Sequence, residues 1–568
     1  MQGRTGTLVN RLLWPATLLL SLVLYVAVGM DDAVGRCDGG AEVPLSRVSG
    51  LGGESLDDGD EVLVGGIVTG VFLGAERLDG FFLQAEEEDG PAALFVYAPR
   101  LDTEFRQWVR PGVRLQVSGR RGTWRGQPQL QRVEGVRFCG EPGKPEAVSL
   151  ALPADDERLR ALSGVLVEFP ESLTVTGNHT LGRFGSLDLA AERLYRQRSG
   201  IDDDGVARMV LDDGSYRSNP DPVPFLDELG GTRRTGDRVG NLRGILVHQF
   251  DDWRLHPVVE PEFEVANPRP AEPVLPPGLR VAAVNVENYF VTLGERGAGS
   301  PPALDRQRAK LLPALAALDA DLLALVEVEN RPAALQDLLE HLNRVVDRRY
   351  ARLDGSVYAG TDAIRVAWLY RPDRLQPLGS PASDAREVHH RAPVVAAFQP
   401  VDGGEPFLAA VVHFKSKIRC PERGDVDRGE GCWNQRRMEQ ARALVGFVDR
   451  ESRRRGVEQV LLAGDFNSYA AERPIRLLER AGYRNVIAGE LPPERHYTYV
   501  FRGASGMLDY LFVNEALSDR VTGAEVWHIN ADEPSFLGYD APGGDSPASR
   551  GLPFRSSDHD PVMLGLEP

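Results

Sequence analysis

The sequence predicts a multi-domain protein: two all-β modules at the N-terminal side, followed by a larger layered α/β domain. Three observations predict it. Short apolar runs between Gly/Asp turns fill residues 45–148 and again 151–265. A proline-rich stretch over 266–279 interrupts that pattern. From 280 to 568, strand-like runs alternate with helical periodicity, which implies stacked layers of helices and sheet. A chain of 568 residues has room for about three or four domains at roughly 100–200 residues each. With 42% hydrophobic and 26% charged residues it is globular, which excludes a mostly disordered, collagen-like or polytopic membrane protein.

The N-terminal stretch 1–30 comes first. Arg4 and Arg11 precede an apolar run from Leu12 to Val28, then Ala27-Val28-Gly29 and the acidic Asp31-Asp32. A basic start, an apolar centre and small residues three apart read as a secretory signal, with an uncleaved anchor as the alternative. Either one puts the rest of the chain outside the cytoplasm, extracellular or in the cell envelope. Membrane contact is expected only through an uncleaved N-terminal segment.

In the module over 45–148, Glu61–Gly70 reads as a strand with a glycine bend, followed by Phe81–Leu83, Leu94–Tyr97 and Val113–Gly119. Short strands at this spacing suggest a small barrel, and their order resembles an OB-fold. Trp124, Arg125 and Phe81 are candidates for a stacking surface, or else for barrel core. The module over 151–265 offers Gly164–Phe169, Met209–Gly214 and Gly244–Val247 as strands, and its Arg238–Gly244 echoes Arg114–Gly119, as a diverged copy would. Asn178-His179-Thr180 fits a glycosylation sequon, a weak match.

The four cysteines are Cys37, Cys139, Cys420 and Cys432. An oxidising compartment favours disulfides, and four cysteines allow three pairings. Cys420 and Cys432 flank a Gly- and Asp-rich loop, so a local bond is expected, leaving Cys37 to join Cys139. No Cys-x-x-Cys pair supports zinc.

In the 280–568 domain, Arg280–Val286, Asp321–Val326, Val366–Tyr370, Leu408–Val412, Val460–Ala463 and Leu508–Val513 read as strands. Leu304, Leu311, Leu312, Leu315 and Leu318 share one helical face, and Met438, Ala441, Leu444, Val445 and Val448 mark another helix. Polar residues cluster where these strands end: Asn285 and Asn288, Glu327, His413 with Lys415 and Lys417, Asp465 and Asn467, Asp509, and Asp558-His559. Strand ends are where a layered α/β protein places its site. Hard oxygen ligands with two histidines and amide groups suit Mg²⁺ or Mn²⁺ and phosphate rather than a thiolate metal. The net charge of −18 argues against a general nucleic-acid binder, but a bound metal and a few arginines can supply positive charge locally. Of the 65 basic residues only four are lysines, and Lys415 and Lys417 lie two apart. They are candidates for phosphate contacts or for a solvated strand end.

These pieces, Asn285–Asn288, Val326–Asn330, Gly360–Ile364, His413–Lys417, Gly464–Asn467, Leu508-Asp509 and Ser557–Pro561, resemble in residue type and order the endonuclease/exonuclease/phosphatase superfamily. Cys432–Asn434 and Trp527–Pro534 look like its branch of secreted bacterial endonucleases, in which OB-like modules precede the catalytic domain. The resemblance implies a four-layer α/β sandwich of deoxyribonuclease-I-like fold. It implies Glu327 as the principal Mg²⁺ ligand, with Asn285 beside it and Asp558 near the metal; Mn²⁺ or Ca²⁺ would substitute or assist. His559 would activate the attacking water, oriented by Asp509. His413 would contact the phosphate or help the leaving group, with Asp362 as its carboxylate partner. Asp465 and Asn467 would position the nucleophile, and Asn288 would bind substrate. That branch often has histidine after the Leu-Asp pair; here Tyr510 follows, on the opposite face of its strand from Asp509, and is expected to affect packing.

Other features carry weaker expectations. Gly424–Gly431 reads as a mobile loop, His389-His390 as an exposed inert pair, and Phe536–Tyr539 as a small apolar candidate for lipid contact. His528 and Asp532 would line the catalytic face or cap a loop. The expected function is a secreted metal-dependent endonuclease acting on nucleic acid, DNA before RNA, with no protein partner implied. The alternatives are a hydrolase of a lipid, inositol phosphate or nucleotide on the same fold, and a nucleic-acid-binding protein with an inert last domain.

Overall fold

The computed structural model describes residue 37 and residues 41–568, apart from 51–55, 87–89, 197–205, 228–230, 354, 356, 542–545 and 547–548. The expected signal or anchor over 1–30 lies outside the described residues. Among the described residues, no helix is long and apolar enough to cross a membrane. The chain divides into two compact units. One holds the residues up to 148 with 160–166 and 245–250; the other holds 149–159, 167–244 and 251–568.

The first unit is built on a closed barrel of β1 (Glu61–Phe72), β2 (Gly80–Gln84), β3 (Ala93–Tyr97), β4 (Arg114–Trp124) and β5 (Gln127–Gly140), in the order β1-β2-β3-β5-β4. β1 is long because it serves two neighbours: Glu61–Ile67 pair with β4, and Ile67–Phe72 pair with β2. The register slips between Val68 and Gly70, and a Cβ on Gly66 would lie 2.9 Å from the Gln84 carbonyl. Val64, Val68, Leu83, Val96, Leu115, Val117 and Leu130 fill the barrel. Phe81 is fully buried there, so it belongs to the core and not to a stacking surface; Arg125 lies 5.1 Å over the Trp124 ring. Cys37 and Cys139 are bonded, as expected.

The second module is not a second barrel. In the other unit it forms an open sheet whose strands run Glu262–Glu264, Arg238–Gly240, Leu173–Gly177, Ser186–Ala190, Arg208–Asp212 and Asp252–Pro257. The echo between Arg238–Gly244 and Arg114–Gly119 therefore reflects generic strand composition, not a copied fold. Asn178 is buried and donates to the Arg233 and Asp532 carbonyls, so it is closed to glycosylation. The proline-rich stretch is not a free spacer either. Asn267 bonds the Thr235 carbonyl and Asp532, and Arg269 pairs with Glu533 at 2.6 Å.

Residues 279–566 form two sheets with helices on their outer faces. One sheet runs Ala351–Arg352, Ile364–Tyr370, Leu322–Glu329, Leu279–Tyr289, Val562–Leu566 and Val521–Val526. The other runs Leu375–Pro377, Val394–Pro400, Phe407–His413, Gln459–Asp465, Asp509–Asn514 and Tyr483–Asn485. Alternation explains the layers. Leu279, Val281 and Ala283 enter the core shared with the other sheet, as do Leu322, Ala324 and Val326. Ala282, Val284, Leu323 and Leu325 point the opposite way, onto the helices Pro301–Ala317 and Pro332–Leu342. The helix Asn434–Arg455 packs Ala441, Leu444 and Val448 into the core of the second sheet. The result is a four-layer α/β sandwich. Tyr510 is buried, with its hydroxyl on the Ser468 and Met507 carbonyls, a packing role.

Candidate active site

Strand register brings the polar residues to one edge. His413 is level with Asp465 across a parallel pair, and Asp465 is level with Asp509 across an antiparallel pair. In the first sheet Asn285 stands opposite Val326 in the last regular pair of its strand, while Val562 opposite Ala283 begins the strand that Asp558 and His559 lead into. Strand ends and strand starts meet because the neighbours run in opposite directions.

The backbone bulges where the acids stand. The register of Leu322–Glu329 slips against Ile364–Tyr370 between Leu325 and Val328, and Glu327 has φ of 70°. The register of Leu279–Tyr289 slips between Asn285 and Tyr289, with Glu287 at 47° and Asn288 at 53°. Left-handed backbone costs non-glycine residues of order 1–3 kcal/mol and concentrates at sites where a side chain is re-aimed. Asn467, at 47°, is a fourth case.

The acids form a cradle of oxygens. Glu327 Oε2 accepts the Asn288 N–H at 3.0 Å, and Asn285 Oδ1 accepts the Glu287 N–H at 2.8 Å. Burial, and then the charge of Asp558, push Glu287 up to about 8 and Glu327 up to about 7. Among the described residues, Glu287 Oε2 and Asn288 Oδ1 are buried with no hydrogen-bond partner. Buried carboxylates that repel one another, beside orphaned oxygens, are what a hard divalent cation neutralises. The donor set fits Mg²⁺ or Mn²⁺. Glu287, to which the sequence pattern alone assigns no role, stands with Glu327 and Asp558; Asn285 has its oxygen engaged by backbone and borders the cradle.

Opposite lies a histidine dyad. His559 Nδ1 is 2.7 Å from Asp509 Oδ2, and the Thr498 hydroxyl donates to the same oxygen at 2.7 Å. Burial works against charge on His559, but Asp509, Asp558 and Asp465 outweigh it and hold the ring well above its ordinary value. Asn530 donates to the His559 carbonyl at 2.7 Å and accepts the Ser556 N–H, which fixes the Ser557–His559 turn. The Tyr499 ring lies 4.7 Å from the His559 ring. Asp465, Asp509 and His559 bring ligand atoms within 4.8 Å of one another. The bond between Asp509 and His559 occupies their facing atoms, which makes the oxygen cradle the better fit for a cation.

Asp465 and Asn467 are locked together: Asp465 accepts the Asn467 N–H at 2.7 Å and its amide at 3.0 Å. His413 is buried, with Nε2 3.3 Å from Asp465 Oδ2 and Nδ1 without a partner among the described residues. The expected pairing with Asp362 is replaced, because Arg391 and Arg296 each hold Asp362 at 3.1 Å. Arg391 also donates to the His413 and Phe414 carbonyls, so it ties that loop to the strand end. Burial, then Arg391 and His559, hold His413 well below its usual value, so it stands neutral.

The two lysines part company. Lys417 is paired with Glu472 and donates to the Glu430 carbonyl, which commits it to the fold and removes it from the phosphate-binding candidates. Lys415 lies over the Trp433 ring at 5.0 Å. The loop between the bonded Cys420 and Cys432 is ordered: Asp425 caps the following helix through the Gln435 and Arg436 N–H groups, and Asp427 accepts from Gly429 and Gly431. His389 is buried against Asp384 at 3.1 Å, not exposed. Leu537 and Tyr539 are buried, which removes the lipid-contact candidate. His528 pairs with Asp560 at 2.9 Å and stacks on Tyr497. Asp532 and Glu533 do not line the catalytic face; they anchor Arg193, Arg234 and Arg269.

Residues 283–559 match the Endonuclease/Exonuclease/phosphatase family. Members of this family hydrolyse phosphate esters and diesters and generally use divalent metal ions. The family domain carries the cradle, the dyad and the Asp465–Asn467 pair. No curated protein matches the chain in sequence. Among solved structures, the human Nocturnin catalytic domain is similar at 16% identity, covering 51% of this chain and 94% of that one, with a TM-score of 0.34. An endonuclease/exonuclease/phosphatase from Bacteroides vulgatus is similar at 15% identity, over 51% and 99%, with a TM-score of 0.34. A mannosyl-6-phosphatase from Bacteroides thetaiotaomicron is similar at 14%, over 51% and 99%, with a TM-score of 0.34.

Proposed function

We propose that the protein is an exported, divalent-metal-dependent endonuclease that hydrolyses phosphodiesters of nucleic acid, DNA before RNA. The observation that carries the reading is the His559–Asp509 pair at 2.7 Å, set across from the Glu327–Glu287–Asn288 oxygens. Glu327, Glu287, Asn288 and Asp558 would hold the metal. Bound there, it would supply positive charge to the phosphoryl oxygens.

The chain's own residues divide the remaining work. Asp509 orients His559 through Nδ1, and in its neutral form the ring has Nε2 free to take the proton of the attacking water. Asp465 and Asn467 orient that water. Neutral His413, with Nε2 beside Asp465, donates toward the phosphate or the departing oxygen. Asn285 and Arg296 border the same space, and Arg296 adds positive charge for the phosphate. The closed barrel, read as an OB-like module, would hold nucleic acid or attach the enzyme at the cell envelope.

The test is nicking of covalently closed circular DNA by protein lacking residues 1–30, with Mg²⁺ or Mn²⁺, beside an EDTA control and His559→Ala. Metal-dependent nicking lost in the variant supports the endonuclease. Intact circles under every metal, with turnover of a small phosphate ester, would move the reading to the lipid, inositol-phosphate or nucleotide class.

A further inference from the structure

The second β-module shares its compact unit with residues 283–559, and it supports a hairpin that lies beside His559. The hairpin Tyr499–Phe501 and Ala504–Gly506 turns at Arg502-Gly503, whose φ values of 49° and 71° suit a tight two-residue turn. The module's Leu194–Tyr195 strand pairs in parallel with Ala504–Gly506. Arg193 Nε donates to Ser505 Oγ at 2.8 Å, and the Arg196 N–H donates to the Ser505 carbonyl at 2.9 Å. The hairpin is therefore held rigidly from the module side.

Tyr499 and Phe501 are two residues apart and share one face of this hairpin. The cross-strand partner of Tyr499 is Gly506, where a Cβ would meet the Tyr469 ring at 2.2 Å. That face is therefore paved with rings. It begins at His559, 4.7 Å from Tyr499, and ends at Phe501, 44% exposed. Arg196 lies 5.7 Å over Phe501 and 5.9 Å over Tyr469; Arg502 lies 5.6 Å over Phe501. Phe501, exposed among arginines with half-buried Tyr499 behind it, matches what unpaired bases and phosphates need: a stacking plane and a cation beside it. A duplex hides its base faces, so the chemistry selects an unpaired strand.

We propose that this hairpin face is a binding lane for a single-stranded segment of nucleic acid leading to the cleaved phosphate, with Phe501 and Tyr499 stacking bases and Arg196 and Arg502 holding phosphates. It rests on the proposed function in that the strand ends at His559. The lane makes the second module part of the substrate site.

The test is fluorescence anisotropy with a 5′-labelled oligothymidylate and the same oligomer in duplex, on the full chain in EDTA so that nothing is cleaved. The wild type is expected to favour the single strand. Phe501→Leu should weaken that binding about tenfold, and Phe501→Trp should retain it, because the ring and not the bulk is what stacks. Arg196→Gln should weaken binding and flatten its salt dependence by roughly one phosphate contact. No wild-type binding, equal binding of duplex, or Phe501→Leu and Arg196→Gln binding as wild type would each overturn the lane. Plasmid nicking run in parallel separates the two ideas. Binding that responds to these variants in a protein that cuts no nucleic acid would leave the lane standing and sink the endonuclease. Nicking with variant-insensitive binding would do the reverse.

Discussion

His559 Nδ1 and Asp509 Oδ2 stand 2.7 Å apart although 50 residues separate them in sequence, and the Thr498 hydroxyl shares the same carboxylate oxygen. The carboxylate fixes which nitrogen of the ring carries its proton. Asp509→Asn preserves the shape and reverses the bond, so turnover should fall by about 10²–10⁴ with the thermal midpoint little changed. His559→Ala should lose at least as much. Thr498→Val removes one donor to Asp509 and should cost about tenfold in kcat with KM unmoved. Wild-type turnover in Asp509→Asn would mean that this dyad is not the proton-handling pair.

The oxygen cradle predicts a stability signature that needs no turnover. Glu287 and Glu327 are buried beside Asp558, and each is pushed up by burial and then by that charge. Mg²⁺ or Mn²⁺ should therefore raise the thermal midpoint of the wild type, since a ligand that binds only the folded state stabilises it. Glu287→Gln removes one repelling charge. It should melt higher than the wild type without metal and respond less to added metal. An identical metal response in wild type and variant would remove Glu287 from the cradle.

What was legible in the sequence was the part written by local pattern. Val281 and Ala283 against Ala282 and Val284 encode a strand buried on both faces, and the polar residues after such runs marked the site edge. Glu287 was legible in principle, two residues from Asn285 and so on its face, but the bulge that turns it inward is a tertiary event. Asp362 was misread because its partners Arg296 and Arg391 lie 66 and 29 residues away. Lys417 was misread for the same reason: nothing near it announces Glu472. The second module's open sheet was hidden because short apolar runs do not say which strands pair.

His389 predicts an acid-sensitive fold. Burial lowers its ring to about 4, against the pull of Asp384. The folded state keeps it neutral while the unfolded chain takes up a proton near its ordinary 6.5. Stability from this group is therefore full above about pH 6.5 and falls as pH drops toward 4, by about 3 kcal/mol over the window. Thermal midpoints at pH 7 and pH 5 should differ more for wild type than for His389→Gln. Equal slopes would place the acid sensitivity elsewhere.

The bond between Cys420 and Cys432 closes a loop with a sequence separation of 12. Such a loop is worth about 3 kcal/mol in the chain-entropy model. Paired Cys420→Ser and Cys432→Ser should lower the thermal midpoint by several degrees and loosen the Asp425 cap on the Asn434–Arg455 helix, read as faster amide exchange at Gln435 and Arg436. Unchanged exchange there would mean the cap holds the loop without the bond.

Asp532 is the charge on which the second module and the family domain meet. It is fully buried, pairs with Arg193 and Arg234, and also accepts from Tyr497 at 2.8 Å and Asn267 at 2.8 Å. Burial alone would raise its carboxyl, but Arg193 and Arg234 outweigh burial and hold it well below the usual carboxylate range. Asp532→Asn leaves two buried guanidinium groups short of a counter-charge, and breaking one partner of a buried ion pair costs about 3–5 kcal/mol. The variant should melt lower and expose the Leu194–Tyr195 strand to protease before the rest of the unit. Because that strand supports the Tyr499–Phe501 hairpin, oligonucleotide binding should fall with it, even though Asp532 touches neither ring. A variant as stable as the wild type would mean that Glu533, with Arg234 and Arg269, holds the junction alone.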